Sequence, residues 1–252
     1  MPSISGQSVL ILGGSSGIGF SVAKLCLEQS ARVAIASSSQ TKVEDAVKRL
    51  LSQVSQARYE PKGYTIDLNS QEVEEHLQKL FLGVTSKGTE LLDHIVVTAG
   101  KPDFRSIKDA SLSHLAKTAQ MPVFVPVLVA KVGTKFLREG YSSSIIFTSG
   151  QLGEKPMPGY SAFAGHASAQ YGLTRNLAVD LAPRRVNAVA PGATETELWG
   201  EHAQMLRDMA SKSSLLGKPG SPEEVAEAYI YLMRNTDATG SIVSSNGGAT
   251  LK

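Results

Sequence analysis

Glycines at positions 13, 17 and 19 mark the first stretch of this chain with the shape of a chemical site. The run Leu12-Gly13-Gly14-Ser15-Ser16-Gly17-Ile18-Gly19 follows an apolar strand and opens a helix. One glycine allows a tight turn, one lets backbone approach a pyrophosphate, and one lets helix and strand pack closely. The helix start then offers free N–H groups and the positive end of its dipole to phosphates. The spacing therefore points to a dinucleotide site, with a plain structural loop as the competing reading.

The end of the second strand bears on which dinucleotide. A site for NAD usually carries Asp or Glu there, to hold the ribose 2′-OH. Here the segment reads Ala36-Ser37-Ser38-Ser39-Gln40-Thr41-Lys42. No carboxylate stands there to repel a 2′-phosphate. Ser37, Ser38 and Ser39, with Thr41 and Lys42, could receive one. The segment favours NADP(H), although no arginine is present in it, and an ordinary solvated loop is the alternative.

These groups need elements to hold them. Apolar runs suggest strands at Val9–Leu12, Arg32–Ala36, Tyr64–Leu68, His94–Thr98, Ser144–Thr148, Arg185–Val189 and Ser241–Val243. Helical periodicity covers Gly17–Gln29, Thr41–Val54, Gln71–Leu82, Ala164–Leu181 and Glu223–Leu232, the last after Ser221 as cap and Pro222. Leu112–Leu137 carries one or two helices that Pro122 and Pro126 should kink or divide. Residues 194–215 have no readable pattern. Alternating strands and helices predict one α/β Rossmann domain over residues 1–252, a doubly wound parallel sheet with helices on both faces.

Composition sets the outer limits. The 252 residues carry a net charge of +2, too balanced to argue for nucleic acid or an anionic membrane. The most apolar run, Met121–Ala130, is short and contains two prolines, and no leader segment is visible. Cys26 is the single cysteine, so no internal disulfide is possible, and its apolar neighbours suggest an inert thiol. The expectation is a cytoplasmic protein that acts on a small molecule without nucleic-acid or membrane partners. His76, His94, His114 and His202 show no metal-ligand spacing and read as surface or packing residues.

Several motifs together resemble the short-chain dehydrogenase/reductase family. Gly13-x-x-x-Gly17-x-Gly19 is similar to its glycine motif. Asp67-Leu68 resembles its adenine-contacting acidic position, and Val97-Thr98-Ala99-Gly100 its Asn-Asn-Ala-Gly turn. Arg185-Val186-Asn187-Ala188-Val189-Ala190-Pro191-Gly192 resembles the segment leading to the nicotinamide, and Thr196 the threonine that touches its carboxamide. The resemblance spans essentially the whole chain. It implies cofactor contacts at Gly13, Ser15, Ser16, Gly17, Ile18, Gly19, Ser37, Ser38, Ser39, Asp67, Leu68, Thr98, Ala99, Gly100, Pro191, Gly192, Thr194 and Thr196. It also implies a homo-oligomer, dimer or tetramer, built through the helix around Ala164–Ala182.

The departures bear on chemistry. The family's proton donor is a tyrosine four residues before a lysine, and no Tyr-x-x-x-Lys occurs here. Aligned on Gly172-Leu173-Thr174-Arg175, the tyrosine falls on Phe163, the lysine on Ala167 and the catalytic serine on Gly150, beside Ser149. No asparagine occurs between residues 100 and 175. Reducing a ketone makes an alkoxide that needs an acid and an oxyanion stabiliser. An iminium starts charged and becomes neutral, so hydride addition to it requires no proton donor.

With this degeneracy the chain most resembles fungal reductase/Diels–Alderases of the bridged indole-alkaloid pathways. In that group an aspartate and an arginine stand near the lost tetrad. Here His166 and Lys131 fall at those places, and they are the catalytic candidates. His166 could donate or accept a proton, as imidazole does in acid–base catalysis, or be a partly buried or interface histidine. Lys131 could orient a carbonyl or simply reach solvent. Asp103 could pair with a cationic amine, and Trp199 could stack on an aromatic substrate. Tyr160 and Ser149 are further hydroxyl candidates. Three functions stay open: an NADPH-dependent reductase of a cyclic imine or iminium, possibly coupled to cyclisation; a non-redox cyclase holding NADP+ as a structural element; and a silent nucleotide-binding protein.

Overall fold

The computed structural model describes residues 2–100 and 105–252. A seven-stranded, wholly parallel sheet runs in the order β3-β2-β1-β4-β5-β6-β7. Its strands are β1 Ser8–Leu12, β2 Arg32–Ser37, β3 Lys62–Thr65, β4 His94–Val97, β5 Ser144–Thr148, β6 Arg185–Pro191 and β7 Ile242–Ser245. The strand order reverses between β1 and β4, so a crevice opens there at the C-terminal ends of the strands.

Helices cover both faces. On one lie α1 Gly17–Glu28, α2 Gln40–Gln53 and α8 Pro222–Arg234; on the other α3 Val73–Val84, α5 Val125–Gly133 and α6 Ser161–Asp180, with α4 Leu112–Ala119 leading toward α5. Strands buried on both sides are largely apolar, which is why Val9–Leu12 and Ile95–Val97 read as continuous runs. Leu10, Leu12, Ile95 and Val97 face the α3 and α5 core, whereas Val9, Ile11 and Val96 face the α1 and α8 core.

Several boundaries differ from the periodicity. β3 starts at Lys62, because Tyr64 and Thr65 pair with Ala36 and Ser37 of β2. β6 continues to Pro191, whose neighbour Ala190 pairs with Ser244. The prolines do divide Leu112–Phe136: a π turn at Gln120–Phe124 contains Pro122, and Pro126 sits in the first turn of α5. By length and composition this stretch could also cross a membrane. In the fold, Val125, Val129, Ala130 and Val132 bury its inner face against the sheet. Patterning missed α7 Ala203–Ser213, whose single buried residue Ala210 leaves no apolar stripe to read.

Two buried polar groups tie the sheet to its surroundings. Arg185, 2% exposed, donates to the carbonyls of Tyr141, Leu232, Ala238 and Met233. It thereby satisfies the last turn of α8, where a cation suits the helix dipole. Burial pulls its pKa down to about 10. His94 is fully buried between Ser144 Oγ and Gln7 Oε1, each at 2.9 Å. The Gln7 oxygen only accepts, so Nε2 carries the proton and Nδ1 accepts from Ser144. Cys26 is buried with its thiol pushed up to about 12, an inert core group.

Burial, and secondarily the charge of Arg185, lowers the His94 pKa from 6.5 to about 3. The folded chain thus keeps His94 neutral while the unfolded chain takes up a proton below pH ~6.5. Stability from this residue is complete above that pH and falls as pH drops toward about 3. Its slope is at most ~1.4 kcal/mol per pH unit. Denaturant titrations from pH 7 to 4 should give a shallower fall for His94→Gln than for the wild type; equal slopes would contradict the assignment.

Candidate functional site

The site is built around the turn from β1 to α1. Gly13 has φ 96°, and a Cβ there would lie 2.7 Å from Ala99 Cα. A Cβ on Gly19 would overlap the Gly13 carbonyl and Thr98 Oγ1. The Thr98-Ala99-Gly100 turn is held against this loop by Thr98 N–H and Ala99 N–H, which donate to Leu12 O at 2.8 and 2.9 Å. Thr98 Oγ1 donates to the same oxygen at 3.2 Å. The result is a shallow backbone cradle in front of the first turn of α1. Ser16 stands at the N-cap without a side-chain capping bond, and no acidic residue occupies that first turn. Such a cradle fits the pyrophosphate of a dinucleotide.

The second wall comes from β6. Gly192 N–H donates to Ser245 O at 3.0 Å, and a Cβ on Gly192 would meet Asn246 Cα at 2.8 Å. The chain then returns over the cradle. The Thr196 side chain lies 3.1 Å from where a Gly17 Cβ would be, so the segment after Gly192 flanks the glycine loop. Thr194 is buried, and its hydroxyl turns back to donate to Gly192 O, so it braces this segment from within.

The serine loop divides its roles. Ser15 Oγ donates to Ser37 Oγ at 2.9 Å, joining the glycine loop to the end of β2. Ser38 is exposed. Ser39 caps α2, accepting from Lys42 N–H at 3.4 Å, which ties its hydroxyl to the helix. Asp67 is exposed and accepts from Asn69 N–H at 2.9 Å, while Leu68 is buried.

Gly150 and Phe163, predicted to replace serine and tyrosine, do meet. A Cβ on Gly150 would lie 3.9 Å from the tip of the Phe163 ring and 4.0 Å from Pro191 O. Phe163 also lines a cavity of about 240 Å³ together with Arg105, His114, Leu115, Thr118 and His166. α4 supplies one side of this cavity and the start of α6 the other.

Nearby hydroxyls are already engaged. Ser149 Oγ donates to Ala167 O at 2.9 Å, so it braces α6 instead of serving as the surviving donor considered above. Tyr171 OH donates to Gly150 O at 3.0 Å. Burial first, and the charge of Glu154 second, pushes the Tyr171 phenol up to about 12, which unsuits it to acid catalysis near neutrality. Tyr160 is half-buried at the N-cap of α6 and does not line the cavity.

Two expectations need correction. Lys131 lies on the outer face of α5, pairs with Glu74 of α3 at 2.5 Å and does not line the cavity. Helical geometry explains this, because Val129, Ala130 and Val132 take the inward positions and leave Lys131 in solvent. His114, read from sequence as a surface or packing residue, lines the cavity with His166. No local signal marked it, since Ser111 caps α4 as on any helix. Trp199 is half-buried in a turn of 3-10 helix at Glu197–His202 and does not line the cavity. Asp103 lies outside the described residues.

Comparison with known proteins agrees with this geometry. A family model described as an SDR-like rossmann domain matches residues 3–252. The short-chain dehydrogenase/reductase ATR9 of Stachybotrys chlorohalonatus is 44% identical over 255 residues, covering all of both chains. The short-chain dehydrogenase/reductase malC of Malbranchea aurantiaca is 34% identical, over 99% of this chain and 96% of its own. The solved structure of MalC reductase/Diels-Alderase from that organism superposes with a TM-score of 0.91 at 33% identity, covering 99% of this chain and 98% of the other.

The close approach at Gly19 has a direct consequence. Gly19→Ala must push the helix away from Gly13 and Thr98, costing ~1–3 kcal/mol as overpacking does. Fluorescence titration should find nucleotide affinity lowered together with that stability loss. An alanine variant of wild-type affinity would mean that the cradle tolerates a Cβ.

Proposed function

The chain belongs to the short-chain dehydrogenase/reductase family, and on that premise we propose that it is an NADP(H)-dependent reductase of a cyclic imine or iminium, with cyclisation coupled to the reduction. The substrate class we infer is an aromatic alkaloid intermediate of secondary metabolism. The observation that carries this reading is the meeting of Gly150 and Phe163 beside Pro191. A benzyl ring and a bare backbone stand where carbonyl reduction would require a proton donor and an oxyanion stabiliser.

A bound dihydronicotinamide supplies a hydride. Pro191, Gly192 and Thr196 would hold its nicotinamide end, and the cradle from Gly13 to Gly19 its pyrophosphate. Phe163, Leu115 and Ala162 give the cavity an apolar wall against which the flat ring of a C=N acceptor can lie. An iminium needs no acid, because its nitrogen already bears the charge that the new C–H bond discharges. A neutral imine must first gain a proton, and His166 reaches this cavity with an imidazole able to deliver one. The resulting amine leaves His166 neutral, to be reprotonated from solvent.

Coupled cyclisation is supported by the similarity to the MalC reductase/Diels-Alderase structure. An apolar wall favours it physically, since holding two reactive ends together lowers the entropy cost of ring closure.

Nicotinamide-deuterated NADPH and an indole-fused cyclic imine test this reading. Deuterium should appear on the reduced ring carbon, and His166→Ala should lose ~10²-fold in rate on the neutral imine. Product without label or nucleotide oxidation would favour the non-redox cyclase, and an unchanged His166→Ala rate would remove that residue from the mechanism.

A further inference from the structure

The glycine loop is already in contact with an anion supplied by the chain itself. Gly17 N–H, in the first turn of α1, donates to Glu197 Oε2 at 3.0 Å. The other carboxylate oxygen lies 3.8 Å from Arg49 Nη1. Arg49 is held in place: Nη2 donates to Ser15 O at 2.8 Å, and the guanidinium lies 4.2 Å over the Phe20 ring. Its Nε is buried with no hydrogen-bond partner among the described residues. An amide and a positioned cation thus converge on one carboxylate, directly beside Ser15, whose hydroxyl holds Ser37.

Resting on the dinucleotide reading, we propose that Arg49 is a phosphate-binding residue of that site, and that Glu197 is an internal anion which exchanges with a phosphate of the cofactor. Carboxylate and phosphate oxygens use the same donors, and Arg is suited to both. One N–H of the first turn cannot serve Glu197 and a phosphate together, and the two anions repel at that range. A phosphate arriving at Gly17 therefore dislodges Glu197 and leaves Arg49 facing it with an unshared charge. Arg49 supplies the guanidinium that the serine loop lacks. It comes from well inside α2, so no motif at the end of β2 contains it.

The exchange also moves a segment. Glu197 opens the turn Glu197–His202, which carries Leu198 and Trp199 and bends at Gly200 with φ 47°. Releasing the carboxylate releases this turn from the glycine loop, so nucleotide occupancy and the position of the turn share one equilibrium. The Arg49 and Glu197 side chains are 43% and 60% exposed, so their pairing is weak enough to be displaced.

Titration of NADPH and NADH, followed by nicotinamide fluorescence, tests the exchange in wild type, Glu197→Gln and Arg49→Gln. Glu197→Gln should bind both nucleotides ~3-fold tighter, the scale of one exposed ion pair. Arg49→Gln should bind NADPH at least ~10-fold more weakly, the scale of a charge-assisted hydrogen bond. A loss confined to NADPH identifies the 2′-phosphate as the partner, and an equal loss for NADH identifies the pyrophosphate; both support the proposal. Glu197→Gln binding no tighter than wild type, or Arg49→Gln binding unimpaired, overturns it. A wild-type chain that binds neither nucleotide removes the dinucleotide reading itself, a failure distinct from unchanged variants. Both substitutions sit at partly exposed side chains, and matching melting temperatures confirm that affinity alone has changed.

Discussion

The site depends on how closely two backbones approach at the sheet's reversal point. Leu12 and Gly13 at the end of β1 lie against Thr98 and Ala99 at the end of β4, with Gly19 of α1 pressed onto both. No side chain fits between them. This contact aims the start of α1 at the crevice, and the crevice exists because the strand order reverses there. The Pro191–Gly192 wall, the Thr196 return and the Arg49 guanidinium are all arranged around that same turn.

Gly150 and Phe163 contribute shape without acidity. The Tyr171 phenol is fixed to the Gly150 carbonyl and held at high pKa by burial. Ser149 is committed to α6. Among the described residues, the ionisable groups that reach the cavity are His114, His166 and Arg105, from α4, α6 and the segment before α4. A substrate that arrives already activated makes less demand on such a site than a carbonyl does.

The fold was legible because parallel strands must be apolar on both faces, and runs such as Val9–Leu12 announce themselves. The glycine turn was equally plain, since close backbone approach demands glycine. Counting from Gly172 singled out Phe163 and Gly150, and the structure brings the two together. What sequence could not give was the direction of side chains on helices lacking a strong pattern. Lys131 follows an apolar run yet points outward, and His114 has no distinguishing neighbour yet points inward. Arg49 and Glu197 lie far apart in the chain and meet only because the segment after β6 folds back over α1. Long-range polar pairs of that kind leave no periodic trace.

The central claim is that this chain keeps a hydride-donor site while dispensing with carbonyl acid catalysis. The most direct measurement is the rate of NADPH oxidation with a cyclic imine and with the ketone of the same ring skeleton, at equal concentration. The account predicts that the imine reacts faster by ~10²–10⁴-fold, the contribution a positioned acid normally makes. Reduction of the ketone at a comparable rate would contradict it, because some other group would then be supplying the proton.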